Sequence, residues 1–189
     1  MVKSKNCSKN FLVYLFVIGF ISGFVSCSKD SEPTVFDKND LIGNYEGTCN
    51  VSISSNNQTV SMTAKFISND MQTLSATIGN DDTYQSIGIQ ISRTASEFKS
   101  YGDYATFKLD DININFSTTI PDFIKNIAGV NWDNMQSVVL TLSASKNPPK
   151  YVIASKNLQF TYTGDVVITE KNGDKTTKQI TYAFVLNKK

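Results

Sequence analysis

The chain contains no histidine, and that absence excludes more chemistry than any motif supplies. Without imidazole, the commonest general base and metal ligand are gone, so Ser-His-Asp and Cys-His arrangements and the usual Cys/His zinc sites cannot be built. Cysteine is scarce, at Cys7, Cys27 and Cys49. Arg93 is the sole arginine and the formal net charge is only +1, which leaves no basic footprint for nucleic acid. No hydrophobic run is long enough for a permanent membrane helix: the uncharged stretch Phe11 to Phe24 has 14 residues, short of the roughly 18–20 required. Walker loops, GxGxxG and nucleophile elbows are also missing from the sequence.

What is present begins at the N-terminus, where Lys3, Lys5 and Lys9 precede FLVYLFVIGFISGF. A positive segment followed by a short apolar one is the pattern of a secretory signal. The residues Phe24-Val25-Ser26-Cys27 then resemble the lipobox of bacterial lipoproteins. That resemblance implies cleavage between Ser26 and Cys27, acylation of the Cys27 thiol, and anchorage to a membrane by lipid alone. Several acyl chains hold firmly, at about 0.8 kcal/mol per buried methylene. Loss of the leader takes away Lys3, Lys5 and Lys9 and brings the formal charge from +1 to about −2. Cys49 is then the one remaining thiol, so no intrachain disulfide staples the mature chain, and its simplest role is as a small buried apolar residue.

The expected organisation is a signal peptide over 1–26, a lipidated cysteine and polar tether over 27–40, and one domain over 41–189. The tether resembles sorting segments of such lipoproteins at Ser28-Lys29-Asp30-Ser31-Glu32; a plain soluble spacer reads equally well. The location expected is the outer membrane, facing either the cell surface or the periplasm.

Within the domain the dominant pattern is alternation of period two. Tyr45, Gly47, Cys49, Val51 and Ile53 share one face, Glu46, Thr48, Asn50 and Ser52 the other, and Val60, Met62, Ala64 and Phe66 repeat the pattern. Further runs at 74–78, 87–91, 105–109, 112–116, 138–144, 151–154, 158–162, 166–169 and 180–186 bring the total to about ten or eleven strands. Asn172-Gly173, Gly79-Asn80-Asp81-Asp82 and Asp110-Asp111 read as tight turns. Pro121 to Gly129 reads as one short helix whose apolar face is Phe123, Ile124 and Ile127, acting either as a plug at a barrel mouth or as a gate over a pocket. Trp132, the only tryptophan, follows it, as a core anchor or as a ring presented to a sugar or partner.

These features define an all-β chain: an antiparallel, calycin-like barrel of about 8–10 strands with one short helix, or alternatively a β-sandwich. The segment Leu41-Ile42-Gly43-Asn44-Tyr45-Glu46-Gly47-Thr48, opening the first strand after the tether, resembles the start of small Bacteroidetes lipoproteins with calycin-like (lipocalin-like) domains. That resemblance implies a closed barrel with an internal cavity. The adjacent carboxylates of Asp81-Asp82 and Asp110-Asp111 have the spacing of turns, not of a glycosidase pair. The function expected is therefore non-enzymatic, with no catalytic residue, metal or cofactor: binding of a small apolar or amphipathic ligand in the barrel through residues the sequence does not single out. The alternative is a structural or interaction module that meets a protein or glycan through its surface. Membrane contact is expected through the lipid on Cys27.

Overall fold

The computed structural model describes residues 36–117, 119–144 and 146–189; Cys27 and the segment that resembles a lipobox lie outside them. Ten strands form: β1 (Gly43–Ile53), β2 (Asn56–Ser68), β3 (Leu74–Gly79), β4 (Gln90–Ser100), β5 (Tyr104–Leu109), β6 (Ile112–Phe116), β7 (Met135–Ser143), β8 (Lys150–Val152), β9 (Asn157–Glu170) and β10 (Lys175–Lys188). Eight of them close an antiparallel ring in the order β10-β1-β2-β3-β4-β5-β8-β9 and back to β10. The architecture is the calycin-like barrel, and the sandwich alternative falls away. β7 and β6 extend the sheet from the later half of β9, with Ser143 opposite Thr163 and Met135 opposite Glu170.

The barrel wall follows the alternation. Tyr45, Cys49, Val51 and Ile53 are buried while Glu46, Thr48 and Asn50 are exposed. β2 buries Met62, Ala64 and Phe66 in the same way. A strand half in water and half in oil must read like this. The runs at 158–162 and 166–169 are one strand, however, not two. β9 passes through Gly164, where a Cβ would collide with the Thr141 carbonyl oxygen, so the glycine lets the strand press against β7 as it leaves β8. The turn at Asn172-Gly173 has positive φ only at Gly173 (91°). A type I′ turn needs it at both positions; the observed hydrogen bonds, Gly173 N to Glu170 O and Glu170 N to Asp174 O, both 2.9 Å, belong to a type I turn with a glycine bulge.

The helices depart most from expectation. Asp81-Asp82 are not a turn but the first turn of α1 (Asp81–Ile87), and Ile87 ends that helix instead of starting a strand. Asn80 is the N-cap: its side chain accepts from Thr83 N (3.0 Å), and its own N–H donates to Thr83 Oγ1 (2.7 Å). Gly88 closes the helix in the left-handed conformation, φ 82°. This is a capping box with a glycine stop, built from residues that also suit a loop. The helix expected over 121–129 is a single turn, α2 (Asp122–Lys125), yet its apolar stripe is placed as expected, with Phe123, Ile124 and Ile127 all buried in the core. Asn56 at the start of β2 donates to the Asn126 carbonyl at 3.2 Å, which fixes this segment at the end of the barrel carrying the β1–β2 turn.

Inside, the side chains pack ring on ring. Tyr45 meets Phe66 at 5.5 Å and Phe66 meets Phe107 at 6.0 Å, both edge to face, while Phe160 stacks on Phe184 at 4.3 Å. Three inward tyrosines hydrogen-bond to segments outside the wall. Tyr45 OH donates to Leu41 O (2.8 Å) in the 3-10 turn Lys38–Leu41, Tyr182 OH to Ile87 O (2.7 Å) at the end of α1, and Tyr162 OH to Asp110 O (2.9 Å) between β5 and β6. Each carries an apolar ring into the core and spends its hydroxyl on a carbonyl that needs a donor.

Burial raises the pKa of all three hydroxyls and pushes the Cys49 thiol up from 9.0 to about 12. Each group is neutral when protonated, so the folded state holds its proton more tightly than the unfolded chain does. The associated stability is complete below the ordinary values and is lost as pH rises past them. With no histidine to titrate, the melting temperature should be level from about pH 5 to 8. It should fall above the ordinary thiol value of 9.0, and Cys49→Ala should blunt the first part of that fall. Calorimetry across this range checks the expectation; a level profile through the ordinary tyrosine value of 10.0 would contradict the burial of these groups.

Candidate functional site

Asp110-Asp111 is also not a reversal. β5 is antiparallel to β8 and β6 to β7, and both β7 and β8 are antiparallel to β9. β5 and β6 therefore run in the same direction, and the two aspartates mark a step between them. Up to this step β5 is paired with β4, Ala95 opposite Leu109, and one more bond follows, Asp110 N to Thr94 O at 3.3 Å. Beyond it the chain turns away to pair with β7 as β6. A seam opens in the wall between the first half of β4 and β6, two strands the sheet order leaves unpaired with each other.

Arg93 stands at that seam. On β4 it shares the inward parity of Ile91 and Ala95, both buried, but is itself only half-buried. Its Nη1 donates to Ser92 O at 2.8 Å. Its Nε is buried with no hydrogen-bond partner, and among the described residues it makes no ion pair. A buried orphan donor costs about 1–3 kcal/mol. Around it, Ser75, Ser92, Thr94, Asp110, Asp111 and Asn113 line a depression of about 400 Å³, within the span of small-ligand sites. The Tyr162 hydroxyl registers the same charges: burial raises its pKa most, Arg93 pulls it down, and Asp110 and Asp111 push it up. Two other depressions, of about 490 and 610 Å³, lie around Lys189, whose ammonium is already paired with Glu46 at 2.6 Å.

Comparison with protein-family models, curated proteins and solved structures finds no match to this chain. The geometry therefore carries the functional argument by itself.

Of the residues singled out by the sequence, the structure sets Arg93 of β4 around the same depression as Asp110 and Asp111, which follow β5. It keeps Asp81 and Asp82 away on α1, where Asp81 accepts from Gln90 Nε2 at 2.7 Å. Trp132 is half-buried and packs against the core, as an anchor does. Cys49 is buried and free. Cys27 lies outside the described residues. Among those residues no group of three or more Cys, Asp or Glu is gathered as a metal site, and no helix is long and apolar enough to cross a membrane. Arg93 itself lies beyond the strand run read at 87–91; the usable signal was an arginine at the inward parity of Ile91 and Ala95.

Proposed function

We propose that this chain is a lipid-anchored, non-enzymatic binding module of the cell envelope that takes its ligand at the Arg93 seam in the barrel wall. The observation that carries this is the contrast between the two candidate places. The inward face is occupied by the protein's own rings, Tyr45, Phe66, Phe107, Phe160 and Phe184, whereas the seam holds a half-buried guanidinium, its Nε without a partner, beside an open polar depression. The resemblance to lipoproteins at Phe24 to Cys27 supports the anchor.

The lining narrows the ligand. A purely anionic ligand meets Asp110 and Asp111, a purely cationic one meets Arg93, and an apolar one satisfies none of them. A neutral, hydroxyl-rich molecule can accept from Arg93 and Asn113 while donating to the carboxylates, which is what a saccharide offers. The test is saturation-transfer NMR of the full chain against a panel of neutral oligosaccharides. Arg93→Ala should weaken binding more than tenfold, the equivalent of losing about 1.5–3 kcal/mol of charged hydrogen bonding. Absence of any saccharide contact, or unchanged affinity in Arg93→Ala, overturns the assignment. An apolar molecule co-purifying in a native mass spectrum would instead favour the barrel interior.

A further inference from the structure

The end of the barrel opposite α1 and α2 carries a second feature. At the tip of the β4–β5 hairpin, Tyr101 is 53% exposed and stacks on Tyr104 at 5.1 Å. Lys150 on β8 lies over the Tyr104 ring, with Nζ 4.2 Å from its centroid. Lys99 is paired across from Thr106, as is Lys150, so both lysines share the face of the sheet that carries Tyr104, and both are exposed. The β8–β9 turn joins them through Ile153 N to Asp103 O at 3.0 Å, bringing exposed Lys156 close. Asp103 is the acidic side chain of the hairpin tip, and Asp37 and Asp40 follow Phe36 at the same end. Tyrosines with a wet hydroxyl and an apolar ring, ringed by lysines, have the composition found at bilayer interfaces.

We infer that this hairpin end is a membrane-surface foot, the Tyr101–Tyr104 pair lying among lipid headgroups with Lys99, Lys150 and Lys156 facing their phosphates. The inference rests on the lipid-anchor reading above, and what selects a bilayer as the occupant is the length of chain that leads to Cys27. Phe36 packs on Tyr151 at 6.2 Å, and Tyr151 is opposite Ala105, the neighbour of Tyr104. The nine residue steps from Cys27 to Phe36 reach at most about 30 Å when fully extended. A lipid on Cys27 therefore holds Phe36 within about 30 Å of the bilayer, so this end of the barrel is the one that can come to rest on it. The Asn172–Gly173 turn lies at the other end of β9, a 14-residue strand about 45 Å long.

The test uses the full chain, processed and reconstituted in phosphatidylcholine and phosphatidylglycerol vesicles with brominated acyl chains. Tyr101→Trp in a Trp132→Phe background should lose most of its emission to bromine quenching, and Asn172→Trp in the same background should keep its own. Equal quenching at the two positions, or none at 101 in a chain that floats with the vesicles, overturns the foot and leaves the anchor standing. A chain whose palmitate label survives Cys27→Ser, or that takes up none, removes the anchor and the foot with it.

Discussion

Val51→Asp should abolish the cooperative unfolding transition, while Asn50→Asp should melt within about 0.5 kcal/mol of the parent. The two residues are neighbours in β1 and differ only in the face they present. Val51 is fully buried in the barrel, between Tyr182 on β10 and Gln58 on β2, and Asn50 is exposed. A carboxylate at 51 must enter the core without a partner, at an effective penalty of several kilocalories per mole. A domain of this size has only about 5–15 kcal/mol in total. With no disulfide closing the described chain, no covalent link limits the damage. Equal melting temperatures for the two variants would mean that the faces of β1 are assigned the wrong way round.

The second large effect is expected at the barrel mouth. Phe123→Ala should cost about 3–5 kcal/mol, a drop in melting temperature of about 6–20 °C for a chain of this length. Phe123, Ile124 and Ile127 are 4%, 0% and 6% exposed, so the ring fills space that alanine would leave empty. Plug and gate differ in just this respect, since a mobile gate would contribute little to global stability. A denaturant midpoint indistinguishable from the parent would show that the segment opens independently of the barrel. Attention would then return to a ligand beneath it.

Local chemistry is legible where neighbours in sequence are also neighbours in the physical event being read. Period-two alternation is such a case: each strand must bury one face, so Tyr45 to Ile53 and Val60 to Phe66 announce their faces unaided. The apolar stripe at 123, 124 and 127 is another. Reading failed where one composition serves two geometries. Asn80, Thr83 and Gly88 make a capping box and stop, yet Gly79-Asn80-Asp81-Asp82 is equally good turn chemistry, and only the docking of Thr83 and Ile87 into the core chooses the helix. Two alternating runs split by Asp110-Asp111 look alike whether the chain reverses or steps sideways.

By itself the sequence determined the all-β class, the inward and outward faces, the exclusion of histidine chemistry and the lipobox resemblance at Cys27, because each depends on residue types or on side chains a few positions apart. The tertiary structure decided which strands adjoin, that β9 runs unbroken through Gly164, and that α1 caps the barrel. It also decided that Arg93, Asp110 and Asp111 line one depression at a seam beside Tyr162, whose hydroxyl reaches Asp110 O across 52 positions of chain. Contacts of that span arise from closing the ring and filling its interior. No local period encodes them, since the free energy that selects them belongs to the packed core as a whole.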